Sequence, residues 1–335
     1  MTIEVCRKST MFNKVVFING FPGCGKTMLS PIMSSFKNVE LMQYSNTIEV
    51  VCELWQIESI RKDVALSMIR KTADLILYNS LLGRNLNCRF SDISSIFHDR
   101  PLRYISRMLR KGEEQSIPLM SQTLKPILHI TSHMLLPAYP LLKEALEENL
   151  VFIEVVRHPL YMFIQHKKNF EMFESTRNQH IRYTKNNIEH NFFEYGVEES
   201  YENLNSFEKA ILSMKFYFDE IRKKKSESII FIPFEIFVKK PNEYLHLISD
   251  AIESKITRRV TKAMKKQNVP RKLLADSPSL EIYKRCGWTP PKSASEIEEL
   301  AIRRNIISKE VSKEYLELID SMSNSYEEEF LGGKL

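Results

Sequence analysis

Cysteine is scarce in this chain and follows no pattern. Five of the 335 residues are cysteine, and none of them shows the C-x-x-C spacing that zinc sites use. An odd, scattered set in a chain of this length also argues against a disulfide framework. We therefore expect ordinary buried thiols, and neither a disulfide-stapled scaffold nor a zinc centre.

Long apolar runs are missing as well. A membrane-spanning helix needs about 18–20 apolar residues. The most apolar stretch, residues 228–238, is about half that length and includes Pro233 and Glu235. The N-terminal residues 1–14 are too polar for a secretory signal peptide. We therefore expect a soluble, cytoplasmic protein without a membrane span.

Neither sign of charge dominates the sequence. There are 48 Lys and Arg residues against 42 Asp and Glu residues, which gives a net charge of +6. Two basic runs stand out, residues 100–112 and 255–272, but no recognisable nucleic-acid-binding module accompanies them. Runs of charge are usually solvated faces, so we expect no nucleic-acid partner. A basic rim that receives an anionic acceptor suits an enzyme better.

What the sequence does contain is a set of dense apolar runs rich in Val, Ile and Phe. Each run ends at a glycine or polar residue, and helical patterns lie between them, which is typical of buried parallel strands with crossover helices. The four clear runs cover residues 14–20, 126–132, 150–157 and 228–235, and a weaker one covers 38–43. The sequence thus predicts an α/β fold in which helices sandwich a parallel β-sheet.

One domain, 1–335, is the simplest organisation, because no internal repeat, low-complexity tract or linker divides the chain. We expect helical insertions at about 46–115 and 165–226, and a C-terminal lid and helix at about 258–330. In that last segment an amphipathic helix is predicted. Its apolar stripe consists of Tyr315, Ile319, Met322 and Tyr326.

The stretch VFINGFPGCGKTMLS, residues 16–30, joins the first apolar run to a helical pattern. It contains the complete phosphate-binding pattern G-x-x-x-x-G-K-[ST]. In such a P-loop the glycines let backbone N–H groups turn toward a phosphate, and the helix N-terminus adds a positive field. The candidate binding residues are Gly20, Pro22, Gly23, Cys24, Gly25, Lys26 and Thr27.

The loop alone does not distinguish a nucleoside triphosphate from an activated sulfate. A kinase or NTPase also needs an acidic residue at the end of a second strand to hold Mg²⁺ together with Thr27. Two other runs end instead at His133 and Arg157, and only the last ends at an acid, Glu235. Because ligands of parallel sheets bind at the carboxyl ends of the strands, His133 and Arg157 should face the phosphate held by Lys26.

In this region the chain resembles the P-loop sulfotransferase family, of the soluble bacterial-like type. The family's P-K-S-G-T-T loop is similar to residues 22–27, and its K-T-H-L-P strand end is similar to residues 131–135. Residues 157–159 match the R-x-P start of the 3′-phosphate motif. Residues 229–252 are similar to the strand-plus-helix segment, and residues 260–288 to the basic lid.

The resemblance implies an enzyme with the P-loop sulfotransferase fold that uses 3′-phosphoadenosine 5′-phosphosulfate and no metal. It implies that His133 is the general base. It also implies that Lys26, with Thr27 and the loop amides, stabilises charge on the leaving 5′-phosphate. The residues implied to hold the 3′-phosphate are Arg157, Gln165, Lys284 and Arg285.

The acceptor implied by the family is a hydroxyl or amine of a small molecule or a glycan, an anionic one included. The sequence departs from the family pattern at four places. The loop lysine stands at 26 instead of at Gly23, Gln165 replaces a serine, and Thr131 and Ser132 replace the lysine and threonine before the histidine. A Mg-ATP-dependent kinase or NTPase acting on a small molecule is the alternative. A non-catalytic nucleotide-binding protein is a third interpretation.

Overall fold

Five parallel strands form the central sheet of the protein. The computed structural model describes residues 3–7, 10–111, 114–173, 181–197, 204–274 and 295–333. Its strands, β1 to β7 in chain order, are Lys14–Gly20, Gln43–Tyr44, Ile127–Thr131, Leu150–Val156, Arg182–Lys185, Ile188–Asn191 and Ile229–Pro233. The order in the main sheet is β2-β3-β1-β4-β7, whereas β5 and β6 form a separate antiparallel pair.

The helices surround this sheet. Numbered α1 to α13 within the described residues, they are Lys26–Ser34, Asn46–Gln56, Lys62–Leu81, Pro101–Leu109, Ile117–Leu124, Tyr139–Leu146, Pro159–Phe173, Ser206–Lys223, Phe234–Lys239, Asn242–Ala251, Arg258–Lys266, Glu296–Ile307 and Lys313–Tyr326. The α/β fold with a parallel sheet flanked by helices is therefore confirmed.

The four clear apolar runs are strands of this sheet, three of them largely buried and the edge strand β7 partly so. In β1, Val15 to Ile18 are fully buried, as expected for a strand covered on both faces. The weaker run, residues 38–43, pairs with β3 only near its two ends. Val39 forms a single bridge with Ile127, and pairing resumes at Gln43.

The order of the strands explains why one edge of the sheet can hold a ligand. The chain passes from β1 to β2 and β3 on one side and then crosses to β4 on the other side of β1. Right-handed crossovers in opposite directions place helices on opposite faces and leave a crevice at the switch point. In agreement, α1 packs on α11, whereas α7, α8 and α13 pack on one another.

The two predicted insertions differ in structure. Residues 46–115 contain α2, α3 and α4, in keeping with the helical pattern. The second segment, 165–226, contains the C-terminal part of α7 and all of α8, but also the β5–β6 hairpin, so a purely helical insertion is wrong there. The hairpin turns at Asn186 and Asn187, both with positive φ, which suits the two-residue turns of tight hairpins.

The C-terminal segment is the amphipathic helix predicted from the sequence. In α13 the side chains of Ile319, Met322 and Tyr326 are buried, and Tyr315 packs partly buried against the core. Tyr326 OH donates a hydrogen bond to buried Glu235 Oε2 at 2.5 Å. The helix therefore covers the end of β7, close to the carboxyl edge of the sheet.

Cysteine burial follows the prediction only in part. Cys24 and Cys52 are buried, whereas Cys6 and Cys88 are exposed, and all four are free. Cys286 lies outside the described residues. No helix within the described ranges is both long enough and apolar enough to cross a membrane.

Candidate active site

The glycine-rich loop after β1 has a backbone conformation that residues with a side chain rarely adopt. Gly20, Gly23 and Gly25 have φ values of 147°, 88° and 110°, all in the region that disfavours a side chain. A Cβ atom at Gly25 would overlap the ring of Phe234. The loop is thus a cradle of bare backbone held against the first residue of α9.

The N-terminus of α1 opens onto this cradle. Gly25 is the N-cap of the helix and provides no side-chain cap, so the first amides need another acceptor. Free amides at a helix N-terminus, together with the helix dipole, favour an anion. The loop and helix therefore have the geometry of a phosphate-binding site.

Lys26 lies on the inner side of the loop. Its side chain is buried, and Nζ donates to the carbonyl oxygens of Gly20 at 2.5 Å and Phe21 at 3.0 Å. The ammonium is also 3.9 Å from Cys24 Sγ, whose thiol pKa is raised by burial. Lys26 therefore holds the loop together and contributes its charge from beneath it.

Arg157 and Gln165 both lie against Gly23 of the loop. Arg157 Nη1 donates to Gly23 O at 3.0 Å, and its guanidinium stacks over the rings of Phe234 and Tyr161 at 4.1 and 4.8 Å. A Cβ at Gly23 would lie 3.1 Å from Gln165 Oε1. The two predicted 3′-phosphate residues are therefore both adjacent to Gly23.

His133 lies just after β3, in a segment whose backbone is hydrogen-bonded to β1. The preceding residue, Ser132, donates from its backbone N–H to Ile18 O at 3.0 Å, and the following residue, Met134, donates to Gly20 O at 3.3 Å. His133 thus lies beside the first glycine of the loop. Its side chain is 41% exposed, so a substrate can reach it.

Glu49, on the first turn of α2, holds His133 in position. Its Oε1 accepts the backbone N–H of His133 at 2.8 Å and lies 3.1 Å from the ring Nδ1. The imidazole also stacks on Tyr44, with centroids 6.0 Å apart and planes 12° from parallel. A carboxylate at Nδ1 favours the tautomer that leaves Nε2 free to accept a proton. Sequence reasoning missed Glu49, which is 84 residues away along the chain.

A second carboxyl group stands one turn further along α2. Burial, and then the nearby charge of Glu49, raise the pKa of Glu53 to about 7. Near pH 7 Glu53 is therefore only about half ionised.

A buried polar network connects the strand below the loop to the His133 segment. Glu154 of β4 accepts hydrogen bonds from Asn19 Nδ2 at 2.6 Å and from Tyr217 OH at 2.8 Å. Burial raises the pKa of Glu154 to about 7. Asn19 Oδ1 accepts a further bond from Ser132 Oγ at 2.9 Å. The network fixes the distance between β1 and the residue before His133.

A cavity of about 570 Å³ lies against α1, beginning at Thr27, two residues after the last glycine of the loop. Thr27 and Met28 of α1 form one wall, and the basic helix α11 forms another. Its cationic lining residues are Arg100, Arg259, Lys262 and Lys266. The volume is in the range of pockets for drug-sized ligands, about 300–1,000 Å³. The basic run 255–272 was visible in the sequence, but its place beside Thr27 was not.

Two predicted site residues cannot be placed. Lys284 and Arg285 lie outside the described residues. Among the residues that are described, no three His, Cys, Asp or Glu side chains are grouped closely enough to hold a metal ion.

Replacing Gly25 with alanine should abolish ligand binding at the loop. The new Cβ would overlap the Phe234 ring, at a φ of 110°, so the loop must shift. If the loop binds the phosphate groups of a nucleotide, adenosine 3′,5′-bisphosphate should no longer stabilise this variant, and the melting temperature should fall.

Gly332→Ala is the matched control for this prediction. Gly332 also has a positive φ, 72°, but a Cβ there meets nothing within 4 Å. That variant should lose only about 1–2 kcal/mol of stability and keep ligand binding. Equal effects of the two substitutions would contradict the geometry described for the loop.

No protein-family model matches the chain, and no curated protein matches its sequence. Several solved structures are similar in fold. One is a sulfotransferase domain from the curacin biosynthetic pathway, 15% identical, with a TM-score of 0.46 over 98% of this chain and 100% of that one. Sulfotransferase STF9 from Mycobacterium avium is 11% identical, with a TM-score of 0.43 over 98% of this chain and 79% of that one.

Mouse sulfotransferase SULT7A1, solved in complex with PAP, is also similar. It is 12% identical, with a TM-score of 0.33 over 94% of this chain and 84% of that one. These likenesses are distant, and a function for the chain has to come from the geometry of its site.

Proposed function

We propose that the protein transfers a sulfuryl group from 3′-phosphoadenosine 5′-phosphosulfate to a hydroxyl group of an acceptor. The observation that carries this proposal is the position of His133. Backbone bonds on either side of it, to Ile18 and Gly20, hold a carboxylate-paired imidazole beside a glycine cradle for phosphate. A proton acceptor and an anion site at one edge are what a transfer to a hydroxyl requires.

The loop fits the phosphosulfate end of the donor. Its glycines leave backbone where a Cβ would collide with neighbouring groups, and the first amides of α1 have no side-chain cap. Amides and a fixed cation stabilise the single negative charge of a sulfuryl group and the charge that builds on the leaving phosphate. Lys26 supplies that cation from beneath the loop, where low polarity strengthens its field.

Two parts of the structure would bind the rest of the donor. Arg157 and Gln165, next to Gly23, would hold the 3′-phosphate, because a guanidinium binds phosphate oxygens in pairs. The cavity beside Thr27 and Met28 would take the adenosine. Its lysine and arginine side chains would add positive potential around a donor that is an anion as a whole.

The chemical step needs one proton transfer and one displacement. His133 Nε2 takes the proton of the acceptor hydroxyl while the acceptor oxygen bonds to sulfur. The bond from sulfur to the 5′-phosphate oxygen breaks, and that oxygen keeps the electron pair. Glu49 stabilises the imidazolium that forms, since its carboxylate lies 3.1 Å from Nδ1.

A Mg-ATP-dependent kinase or NTPase is the second candidate, and one observation favours it. Thr27 and Asp99 line the same cavity, and a threonine with an acid is how P-loop NTPases hold Mg²⁺. However, Asp99 accepts a hydrogen bond from Arg100 Nε at 2.7 Å and lies 3.7 Å from Arg259. Two cations already neutralise this carboxylate, so we rank the kinase second.

A transfer assay distinguishes the two functions. The protein is incubated with sulfate-labelled donor and a panel of phenols, steroid alcohols and methyl glycosides in the presence of EDTA. We expect labelled product and one equivalent of adenosine 3′,5′-bisphosphate. Transfer of label from γ-labelled ATP, dependent on Mg²⁺ and without any sulfate transfer, would make the protein a kinase.

A further inference from the structure

A second cavity, of about 250 Å³, lies beside the candidate base. It is enclosed by the end of β2, the first residues of α2, the C-terminal half of α3 and the turn that follows α3. Tyr44 lines it and stacks on the imidazole of His133. The cavity is therefore separated from the base by one aromatic ring.

The lining of this cavity combines polar, mostly uncharged side chains with an apolar part formed by Tyr44, Leu75, Ile76 and Leu86. Four of the polar side chains are primary amides, from Gln43, Asn46, Asn79 and Asn85. None of these amides makes a side-chain hydrogen bond to another residue in the described part of the chain. Each can donate two hydrogen bonds and accept two, so together they offer mixed donors and acceptors to a ligand.

Hydroxyl groups complement such a lining. A hydroxyl both donates and accepts, as an amide does, and a ring carrying several hydroxyls can engage several amides at once. Thr72 and Thr47 add hydroxyls of their own, and the half-exposed ring of Tyr44 provides a flat apolar surface. No carboxylate is among the lining residues of this cavity, all of which are described, and Arg84 is their cation.

The size of the cavity restricts the ligand further. Pockets for drug-sized ligands measure about 300–1,000 Å³, so a cavity of about 250 Å³ takes one ring with its substituents. A phenol or steroid body would cover the partly buried amides of Gln43 and Asn79 without giving them partners, which lowers its affinity. A single sugar ring suits this volume and carries hydroxyl groups for those amides.

We propose that this cavity binds a sugar residue of the acceptor, so that the acceptor is a saccharide. This inference rests on the proposed sulfotransferase function, because it names the substrate of that same site. The sugar lies in the cavity, and one of its hydroxyls, or a hydroxyl of the adjoining residue, extends past Tyr44 to His133. There it loses its proton to Nε2 and forms the bond to sulfur described above.

Binding of simple sugars tests this inference without any catalysis. Saturation-transfer NMR is recorded on the full chain with a panel of methyl hexosides and methyl hexuronides. We expect saturation transfer to at least one member of the panel. In Asn79→Leu and in Asn46→Leu the dissociation constant for that sugar should rise about tenfold. Leucine is well tolerated in helices, and the two positions lie on different helices, so they serve as independent variants.

Asn324→Leu is the matched control, since Asn324 is an exposed amide on α13 that does not line the cavity. It should bind the sugar as the parent chain does. Absence of saturation transfer for the whole panel would overturn the inference, and so would equal binding by Asn79→Leu, Asn46→Leu and the control.

The binding and transfer experiments distinguish a failure of this inference from a failure of the proposed sulfotransferase function. Labelled sulfate transferred to a phenol, with no hexoside bound, would leave the sulfotransferase function standing and refute the sugar cavity. A bound hexoside without any stabilisation by adenosine 3′,5′-bisphosphate would refute the cavity's role as acceptor site. A bound hexoside together with sulfate transfer to it is the result that we expect.

Discussion

Replacing His133 with alanine should lower the turnover number for sulfate transfer by about 10²- to 10⁴-fold, the usual contribution of a general base. The imidazole is accessible, next to Gly20 of the loop, and held by Glu49 at Nδ1. Alanine removes the only group proposed to take the acceptor proton. Steady-state kinetics with the sulfate donor measure the effect.

Donor binding should be unchanged in this variant, because His133 is not among the groups proposed to hold the nucleotide. Stabilisation by adenosine 3′,5′-bisphosphate measures this directly. The control is His246→Ala, an exposed histidine on α10, which should keep full turnover. If His133→Ala turned over as fast as the parent chain, His133 would have no part in the reaction.

Glu49→Gln separates positioning from proton transfer. Glutamine keeps an oxygen that can accept the backbone N–H of His133 but loses the charge that stabilises the imidazolium. A carboxylate at Nδ1 of a general-base histidine orients the ring and stabilises the imidazolium that forms. We therefore expect turnover between those of the parent chain and His133→Ala, with donor binding retained.

The largest effect on stability is expected at Glu40, which is not among the groups proposed to bind or react with the substrates. This buried carboxylate accepts bonds from Arg107 at 2.7 and 3.1 Å, and it also pairs with Arg103. Ser80 Oγ donates to it at 2.9 Å. Glu40→Gln would leave Arg107, itself buried, without its counter-charge. Breaking a buried pair in this way costs about 3–5 kcal/mol in the free energy of unfolding.

The stability that Glu40 contributes depends on pH, and the direction in which the fold shifts the pKa of Glu40 determines how. Burial alone would raise the pKa of Glu40, but the hydrogen bonds and charge of Arg107, with the charge of Arg103, lower it below its usual value. The unfolded chain then binds more protons than the folded one as the pH falls. The stabilisation is therefore complete above about pH 4.3, the ordinary pKa of a glutamate. It is lost as the pH falls toward the lowered pKa.

Urea unfolding at pH 7 and at lower pH tests both statements. The difference between Glu40→Gln and the parent chain should be large at pH 7 and should shrink in acid. Glu144→Gln is the control, because Glu144 pairs with Lys62 at the surface, with both side chains about half exposed. Such a pair is worth about 0–1 kcal/mol. A difference of that small size for Glu40→Gln would contradict the anchoring role of Glu40.

The strands and the loop could be predicted from the sequence because their signals are local. A fully buried parallel strand is a short apolar run, as in residues 14–20 and 150–156. The loop pattern and the flanking strand and helix are contiguous. The rule that ligands bind at the carboxyl edge then predicts that Arg157 and His133 approach the loop.

Other parts of the site depend on contacts between distant residues and leave no local pattern. Glu49 is an ordinary acid near the start of an amphipathic helix until the fold places it against His133. The inward orientation of Lys26 depends on the loop carbonyls that it meets. The short β5–β6 hairpin was missed for another reason. Its strands have four residues each and are mostly polar and exposed, so they lack the alternation that marks a half-buried strand.

The most direct test of the account is a thermal-shift comparison of adenosine 3′,5′-bisphosphate with ATP, each with and without Mg²⁺. A ligand at 100 times its dissociation constant stabilises the folded state by about 2.7 kcal/mol. We predict that the bisphosphate raises the melting temperature without metal and more than ATP does, and that Lys26→Ala removes the effect. Stabilisation by Mg-ATP alone, with none from the bisphosphate, would contradict the sulfotransferase assignment and make the loop that of a kinase or NTPase.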